Sequence, residues 1–312
     1  MRAALESARI APAAEPTPVP AALDAVPRVV TTRSGPVECA ITGSGPTVLA
    51  LHGAMGGWDQ GVLLARTAGV PGYRYLAPSR PGYLGTPLGK ARTPAEQALL
   101  YRDLLDALGV ERVAVMAVSG GGPSALQFAA DHPDRCWALV VASSVCRRVD
   151  RHLPLAWHVL RLAMHWRPVA DSMRRRAEKD PARATRRSIP NPRMRARTLA
   201  DPEAGPLLRA LELSTLDRMD LRMPGTENDV ATTRGDLALP LERIRAPLLV
   251  VHGTEDELAP FSGGMEMATR VPRAEILAIE GGRHVTIYTH RDRVRSDVAR
   301  FLAEHAPPRA TA

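Results

Sequence analysis

The stretch that decides the fold is Val113-Ala114-Val115-Met116-Ala117-Val118-Ser119-Gly120-Gly121-Gly122-Pro123. It begins as an apolar run typical of a buried strand, and the residues that follow it are typical of a helix. A strand and a helix joined this closely require a sharp bend, and Ser119 lies at that bend. Ala117 and Gly121 are small, as close contact between the strand end and the helix start requires. The pattern corresponds to Gly-x-Ser-x-Gly with alanine in the first glycine position, and it predicts an exposed nucleophilic serine.

Two other structures would also place glycine and serine after a strand. One is an ordinary tight turn, and the other is a phosphate-binding loop. A phosphate loop ends in Gly-Lys-Ser/Thr, and a dinucleotide-binding loop reads Gly-x-Gly-x-x-Gly with an acidic residue downstream. Neither pattern is present in this stretch, so the choice depends on the rest of the chain.

Composition narrows the class of protein. The 312 residues allow one large α/β domain with an insertion, or two domains, and 45% apolar residues exclude general disorder. Cys39, Cys136 and Cys146 form no Cys-x-x-Cys pair, so we expect small buried hydrophobic side chains, which suits a reducing compartment. The N-terminus does not resemble a signal peptide and no apolar run is long enough for a membrane span. We therefore expect a cytoplasmic protein.

The positive charge is concentrated in one segment. Residues 147–187 contain 12 Lys or Arg and 4 Asp or Glu, a net charge of +8 that equals the formal charge of the whole chain. The common explanation for such a run is a solvated surface. Nucleic-acid binding is not favoured, because no matching motif or interleaved aromatic residues accompany the charge.

The order of predicted elements indicates the fold class. Strands are predicted over 28–32, 37–42, 47–51, 73–77, 113–118, 137–143, 247–253 and 275–279. Helices are predicted from the capping box at Thr93-Pro94-Ala95-Glu96, after the Ser119 bend, and over 291–304. This alternation predicts an α/β fold, with a mostly parallel central sheet and helices on both faces.

One segment interrupts the alternation and sets the predicted domain organisation. Residues 146–235 contain no strand-like run but several short helical patterns, of which 153–173 carries one apolar stripe. We expect an inserted helical cap there. The core then comprises 28–145 and 236–306, preceded by an Ala/Pro-rich mobile arm over 1–27 and followed by a tail over 307–312.

A glycine-rich loop follows the third predicted strand, in His52-Gly53-Ala54-Met55-Gly56-Gly57. Acyl transfer develops negative charge on an oxygen, and preorganised backbone N–H groups stabilise it. One N–H comes from the residue after the nucleophile, Gly120, and the other from a loop after an earlier strand. We expect Ala54 to supply the second N–H, with Met55 as the alternative. His52 is expected to be structural.

A serine hydroxyl needs a base within hydrogen-bond reach, and the base needs an orienting carboxylate. Sites in open parallel sheets lie at the carboxyl ends of the strands. Asp256 and His284 follow the last two predicted strands, and the chain order Ser119, Asp256, His284 is that of α/β-hydrolases. The alternatives are Glu255, Glu257 and Asp150 for the acid, and His290 for the base.

The sequence resembles the α/β-hydrolase fold family over roughly residues 28–306. The resemblance rests on Leu51-His52-Gly53, Ala117-Val118-Ser119-Gly120-Gly121, His252-Gly253-Thr254-Glu255-Asp256 and Gly282-Arg283-His284. Two positions depart from the family pattern, because Ala117 replaces glycine and Arg283 stands where glycine is frequent.

The resemblance implies a serine hydrolase that cleaves a small carboxylic ester through an acyl-enzyme, with no metal and no organic cofactor. Ser119, Asp256 and His284 would be catalytic, and Ala54 and Gly120 would form the oxyanion hole. Alternatives within the fold are a C–C bond, amide or lactone hydrolase and a cofactor-free haloperoxidase-like enzyme. A non-catalytic binding protein is the alternative of another class.

The substrate is expected to be a small-molecule ester, and the protein a monomer or homodimer. Met55, Trp157, Met164 and Arg147 are the candidate pocket residues. If arginines such as Arg147 line the pocket mouth, they would pair with a free carboxylate on a half-ester, as in the monoalkyl phthalate hydrolases, which the sequence also resembles.

Overall fold

The computed structural model describes residue 23 and residues 25–149 and 167–307. The strands within these residues are β1 Arg28–Thr32, β2 Gly35–Gly43, β3 Thr47–Leu51, β4 Arg74–Pro78, β5 Val113–Val118, β6 Cys136–Ala142, β7 Leu248–Gly253 and β8 Ala274–Ile279. They form one eight-stranded sheet in the order β1-β2-β4-β3-β5-β6-β7-β8. Strand β2 is antiparallel to its neighbours, and the other neighbouring pairs are parallel. The predicted fold class is therefore confirmed.

Helices cover both faces of the sheet, and others lie in the described part of the segment between β6 and β7. Their bounds are α1 Trp58–Thr67, α2 Pro94–Ala107, α3 Gly122–Asp131, α4 Arg167–Lys179, α5 Pro181–Ala184, α6 Pro192–Ala200, α7 Ala204–Leu216, α8 Met219–Arg234, α9 Phe261–Arg270, α10 Thr286–Thr289 and α11 Arg291–His305. The predicted capping box begins α2, where the Thr93 hydroxyl accepts from the Glu96 N–H and Glu96 Oε2 accepts from the Thr93 N–H.

Alternate residues of the central strands face two different sets of helices. On β5, Val113 and Val115 pack in a cluster with residues of α2 and α3, whereas Ala114 and Met116 pack with residues of α1 and α11. Successive side chains of a strand point to opposite faces, so one apolar run fills both cores. Because both faces are covered, the carboxyl ends of the strands are the accessible place for a site.

The sequence prediction missed helices α1 and α9. Each contains glycine, which lowers intrinsic helix preference by about 1 kcal/mol relative to alanine. The sheet requires these glycines, because a Cβ on Gly61 would lie 2.8 Å from the carbonyl oxygen of Ala50, and one on Gly264 would lie 2.7 Å from His252 Nδ1. The glycines that allow these helices to pack closely therefore also weaken the helical pattern in the sequence.

The described part of the segment between β6 and β7 contains helices α4 to α8, so the predicted helical insertion is present. Its two ends meet at an isolated antiparallel bridge between Arg147 and Ala238. Helix α8 contacts the core through backbone hydrogen bonds, from the Leu84 N–H to Leu221 O and from the Gly225 N–H to Gly82 O, both 2.8 Å. The exact limits of the cap, 146 and 235, remain a prediction.

Some sequence predictions lie outside the described residues. These are most of the N-terminal arm, the first part of the helical pattern over 153–173, and residues 308–312 of the tail. Leu23, within the predicted arm, is buried in the core beside α1 and α11. None of the described helices combines the length and the apolar character that crossing a bilayer requires.

Candidate active site

Ser119 lies directly after β5, with φ 51°, in the left-handed region that a serine rarely adopts. A short 3₁₀ turn, Ser119–Gly121, connects the strand to α3. A Cβ on Gly121 would lie 2.7 Å from the carbonyl oxygen of His52, and one on Gly53 would lie 3.2 Å from the Cβ of Ser119. The bend is therefore as tight as the sequence predicted, and small residues are required around the serine.

Two loops at the same end of the sheet carry the other candidate residues. The loop after β7 is joined to the loop after β8 by hydrogen bonds from the Thr254 N–H to Ile279 O, 3.0 Å, and from the Glu255 N–H to Gly282 O, 2.9 Å. Gly253 leaves no room for a side chain, because a Cβ there would lie 2.8 Å from the Arg283 nitrogen. These contacts hold the loop that carries the predicted acid against the loop that carries the predicted base.

The structure brings Ser119, His284 and Asp256 together in one hydrogen-bonded chain. Ser119 Oγ lies 2.9 Å from His284 Nε2. On the other side of the ring, His284 Nδ1 lies 2.9 Å from Asp256 Oδ2 and 3.1 Å from Oδ1. The Asp256 side chain is completely buried, whereas 21% of the His284 side chain is exposed. The ring therefore connects a buried carboxylate to a hydroxyl at the surface of a cavity.

Asp256 is ionised in this arrangement. Burial by itself would raise the pKa of its carboxyl group, but hydrogen bonds from His284 and from the N–H groups of Ala259 and Leu258 outweigh burial and lower the pKa below its ordinary value. Both N–H groups donate to Oδ1 at 2.9 Å. Because the carboxylate can only accept, the proton of His284 is assigned to Nδ1, and Nε2 carries the free lone pair.

Two of the competing residues, His290 and Glu257, make contacts elsewhere. His290 caps α11, and its Nδ1 lies 3.0 Å from Thr289 Oγ1. Glu257 is 68% exposed at its side chain and is paired with Arg283. Asp150 lies outside the described residues.

His52 orients the backbone of the loop after β3. Its Nε2 accepts from the Arg80 N–H at 2.9 Å, so its proton is on Nδ1, which donates to Gly53 O at 2.7 Å. Burial, followed by the charge of Arg80, lowers the pKa of His52 well below its ordinary value. The ring is therefore neutral, and both of its nitrogens are engaged.

The two predicted oxyanion donors lie side by side. A Cβ on Gly120 would lie 3.3 Å from the backbone nitrogen of Ala54. The Met55 N–H donates to Thr226 Oγ1 at 3.0 Å, whereas no acceptor for the Ala54 or Gly120 N–H is found among the described residues. On the far side of the Ser119–Gly120 peptide, the carbonyl oxygen of Ser119 accepts from Ser144 Oγ at 2.6 Å.

A family model described as alpha/beta hydrolase fold matches residues 46–291. This chain belongs to the α/β-hydrolase family. It is therefore a hydrolase by family, and the serine, acid and base described above lie within the matched residues.

Similar proteins include hydrolases of several kinds. An alpha/beta hydrolase fold protein from Nakamurella multipartita is 32% identical, with a TM-score of 0.78 over 89% of this chain and 100% of that one. A 2-hydroxy-6-oxononadienedioate/2-hydroxy-6-oxononatrienedioate hydrolase from Cupriavidus pinatubonensis is 26% identical over 88% of this chain and 94% of its own length. The hydrolase YcgS of Bacillus subtilis is 35% identical over 119 residues, which are 38% of this chain and 41% of that protein.

A cavity of about 650 Å³ opens onto the serine of this α/β-hydrolase. Gly53, Ala54, Ser119, Gly120 and His284 form its floor. Its walls are mostly apolar and include Leu64, Val145, Leu211, Leu258, Val285 and Ile287. A ligand of small to medium size therefore meets the Ser119 hydroxyl, the His284 ring and the N–H groups of Ala54 and Gly120 in one largely apolar space.

The candidate pocket residues differ in where they lie. Met55 lines the cavity. Trp157 and Met164 lie outside the described residues. Arg147 is not among the described residues that line the cavity, and it pairs with Glu266, with Nε 3.2 Å from Oε2. Its Nη2 also donates to Ser262 Oγ at 3.2 Å.

Sequence reasoning missed several polar residues of the cavity lining, including two arginines, an aspartate and a serine. Arg187 and Arg234 are exposed where they line the cavity, and Asp229 and Ser144 are buried. Arg187 ends the basic segment, which was a usable signal. No pattern in the sequence could identify Asp229 or Ser144, because their positions depend on how the insertion and β6 pack against the loops.

The described residues contain no group of three or more His, Cys, Asp or Glu side chains that could hold a metal ion. The three cysteines are buried thiols. Burial raises the pKa of Cys39 and of Cys146 to about 11 and that of Cys136 to about 12.

Proposed function

We propose that this α/β-hydrolase is a serine hydrolase that cleaves a small carboxylic ester through an acyl-enzyme. The observation that carries the proposal is the continuous hydrogen-bonded chain Ser119–His284–Asp256, with 2.9 Å between Ser119 Oγ and His284 Nε2 and 2.9 Å between Nδ1 and Asp256 Oδ2. Ser119 is the nucleophile, His284 the general base, and Asp256 the orienting carboxylate.

Acylation follows from the protonation of these groups. Ser119 Oγ attacks the ester carbonyl carbon while His284 Nε2 takes the hydroxyl proton. The charge of Asp256 stabilises the imidazolium that forms, and His284 then returns the proton to the leaving alcohol. In the second half of the cycle, His284 deprotonates a water molecule that attacks the acyl carbon, and it returns this proton to Ser119 Oγ as the acyl–oxygen bond breaks and the acid is released.

The N–H groups of Ala54 and Gly120 receive the oxyanion of each tetrahedral intermediate. Two observations support Ala54 over the alternative, Met55. The Met55 N–H already donates to Thr226 Oγ1, and Ala54 N lies beside Gly120. Donors that are fixed before the reaction need no reorganisation as the charge develops.

We also propose that the preferred substrate carries a free carboxylate, as a half-ester does. The cavity lining is mostly apolar, and the positive side chains of Arg187 and Arg234 are part of it. A substrate with an apolar acyl part and an anionic far end matches this distribution. The arginines are exposed, so each would improve kcat/KM by about two- to fivefold.

C–C bond hydrolysis is the second candidate. It is favoured by the names of two relatives, 2-hydroxy-6-oxononadienedioate/2-hydroxy-6-oxononatrienedioate hydrolases at 25% and 26% identity over 83% and 88% of this chain. Those names describe dicarboxylates, so the two arginines do not separate this candidate from a half-ester hydrolase. Direct comparison of kcat/KM for p-nitrophenyl butyrate and for 2-hydroxy-6-oxononadienedioate separates them, and the larger value identifies the reaction.

Labelling with a fluorophosphonate tests the nucleophile and the base. We expect the native protein to be labelled, and Ser119→Ala and His284→Asn to lose labelling. His290→Asn is the matched control for the base, because His290 caps a helix, and we expect its labelling rate to stay within about threefold of native. Labelling that persists in Ser119→Ala would overturn the proposal.

The carboxylate preference is tested with p-nitrophenyl butyrate and the p-nitrophenyl half-ester of succinic acid. Arg234→Ala and Arg187→Ala should lower kcat/KM for the half-ester only. Arg243→Ala, an exposed arginine that does not line the cavity, is the control. Equal turnover of both esters by the native protein would contradict the preference and leave the serine hydrolase assignment intact.

A further inference from the structure

Helix α8 of the insertion is joined to the core by two buried ion pairs of opposite polarity. Arg222 on the helix donates to Asp59 on α1, with Nη2–Oδ2 2.6 Å and Nη1–Oδ1 3.1 Å. Asp229 on the helix accepts from Arg80, with Nη1–Oδ1 3.0 Å and a second contact between Nη2 and Oδ2. Residues seven apart lie about two turns apart on the same side of a helix. Both pairs therefore dock the same face of α8.

The Arg80–Asp229 pair lies against both peptides that carry the oxyanion donors. Arg80 Nη2 lies 3.4 Å from Gly53 O. A Cβ on Gly120 would lie 2.7 Å from Asp229 Oδ2 and 3.2 Å from Arg80 Nη2, so the pair closes the space beside Gly120. Arg222 Nε instead donates to the Asp217 carbonyl oxygen, at 2.8 Å, within the insertion.

The carbonyl of Gly53 and the N–H of Ala54 belong to the same peptide group. A trans peptide is planar, so its C=O and N–H point in opposite directions. Hydrogen bonds from His52 Nδ1 and Arg80 Nη2 that fix Gly53 O therefore also fix the direction of the Ala54 N–H. Donation to the carbonyl polarises the peptide and strengthens the N–H as a donor.

A carboxylate near an oxyanion would repel it unless its charge were directed elsewhere. Asp229 Oδ2 accepts from the Tyr83 hydroxyl at 2.6 Å in addition to Arg80. The Arg80 side chain is 1% exposed, so its charge is not screened by water and is matched by Asp229. The pair as a whole is neutral beside the oxyanion donors.

We propose that Arg80 and Asp229 are positioning residues of the oxyanion hole, and that Asp229 reaches its place only because α8 is docked on the core. This inference rests on the proposed function. Neither side chain reacts with substrate. Arg80 directs the Ala54 peptide, Asp229 holds Arg80, and the insertion thereby completes a site whose reacting groups all belong to the core.

Asp229→Asn and its matched control Asp59→Asn separate positioning from stability. Each change removes one carboxylate charge from a buried pair on the same helix, and we expect both to lower the Tm. At a temperature where circular dichroism shows both variants folded, Asp229→Asn should lower kcat for p-nitrophenyl acetate about 10- to 100-fold with KM within about threefold. Asp59→Asn should keep kcat within about threefold of native.

The rate of fluorophosphonate labelling provides a second readout, because phosphonylation of Ser119 also develops charge on an oxygen in the hole. Labelling of Asp229→Asn at the native rate, or equal losses in both variants, would overturn the inference. Absence of labelling in the native protein would instead overturn the proposed function, and this inference with it. If Asp229→Asn does not fold, Tyr83→Phe provides the test, because it keeps the Arg80–Asp229 ion pair and removes the hydroxyl that donates to Asp229 Oδ2. A labelling rate at least threefold below native supports positioning, and an unchanged rate contradicts it.

Discussion

Replacing Asp256 by asparagine is the sharpest test of the hydrogen-bonded chain. The substitution keeps the shape of the side chain and removes its charge. The carboxylate is completely buried and accepts from His284 Nδ1 on one side and from the N–H groups of Leu258 and Ala259 on the other. We therefore expect the protein to fold and the imidazole to stay in place, while its protonation changes.

The expected loss of kcat depends on which amide atom of the asparagine faces His284 Nδ1. The two N–H groups require an acceptor at Oδ1, so the amide oxygen stays there and the NH₂ group faces His284 Nδ1. Nδ1 must then accept, and the proton moves to Nε2. A protonated Nε2 cannot take the proton of Ser119 Oγ. The corresponding change in a serine protease triad lowers kcat about 10⁴-fold, or about 5.5 kcal/mol of activation free energy.

The assay is steady-state hydrolysis of p-nitrophenyl butyrate, with kcat and KM measured separately. Glu257→Gln is the control, because Glu257 is the next carboxylate along the chain and its side chain is 68% exposed. We expect kcat of the control to stay within about twofold of native. A loss below about tenfold in Asp256→Asn, with the protein folded, would refute the assignment of Asp256 as the orienting acid.

Three further outcomes follow from the packing. Ser144→Ala removes the 2.6 Å hydrogen bond to Ser119 O, and it should lower kcat about three- to tenfold, with little change in KM. Gly264→Ala should lower the free energy of unfolding by about 1–3 kcal/mol in urea denaturation, because its Cβ would lie 2.7 Å from a histidine ring, whereas Gly263→Ala, with its nearest neighbour at 3.9 Å, should be neutral or stabilising. Burial raises the pKa of Glu212 from 4.5 to about 7, so the free energy of unfolding falls as pH rises from about 4.5 to about 7. Glu212→Gln should therefore be more stable than the native protein at about pH 8 and lose that advantage at about pH 4.

The central sheet could be predicted from the sequence because its signals are local. The run Val113–Val118 is long enough to be a strand, and the glycines that follow Ser119 indicate a bend. The capping box at Thr93 and Glu96 marks a helix start without any tertiary information. Because the carboxyl ends of parallel strands share one edge, the order of the strands also brought the candidate serine, acid and base to the same region.

What the sequence could not predict depends on contacts between distant segments. Helix α1 is buried over almost its whole length, so no polar face marks its period, and Gly61 lowers its helical signal. Asp229 is one acidic residue among many on inserted helices, and only its contact with Arg80 distinguishes it. Arg147 stands in a basic segment, but its ion pair with Glu266, far along the chain, could not be predicted from that segment.

The two ends of the insertion meet at the Arg147–Ala238 bridge. Because the ends lie together, the whole segment could be exchanged between related enzymes to change substrate preference. Such a transplant is not self-contained. The recipient would retain the guanidinium of Arg80, which is desolvated, and would lose the carboxylate of Asp229 that neutralises it. A chimera joined at this bridge therefore needs an acidic residue in the new segment that pairs with Arg80, or a substitution of Arg80 itself.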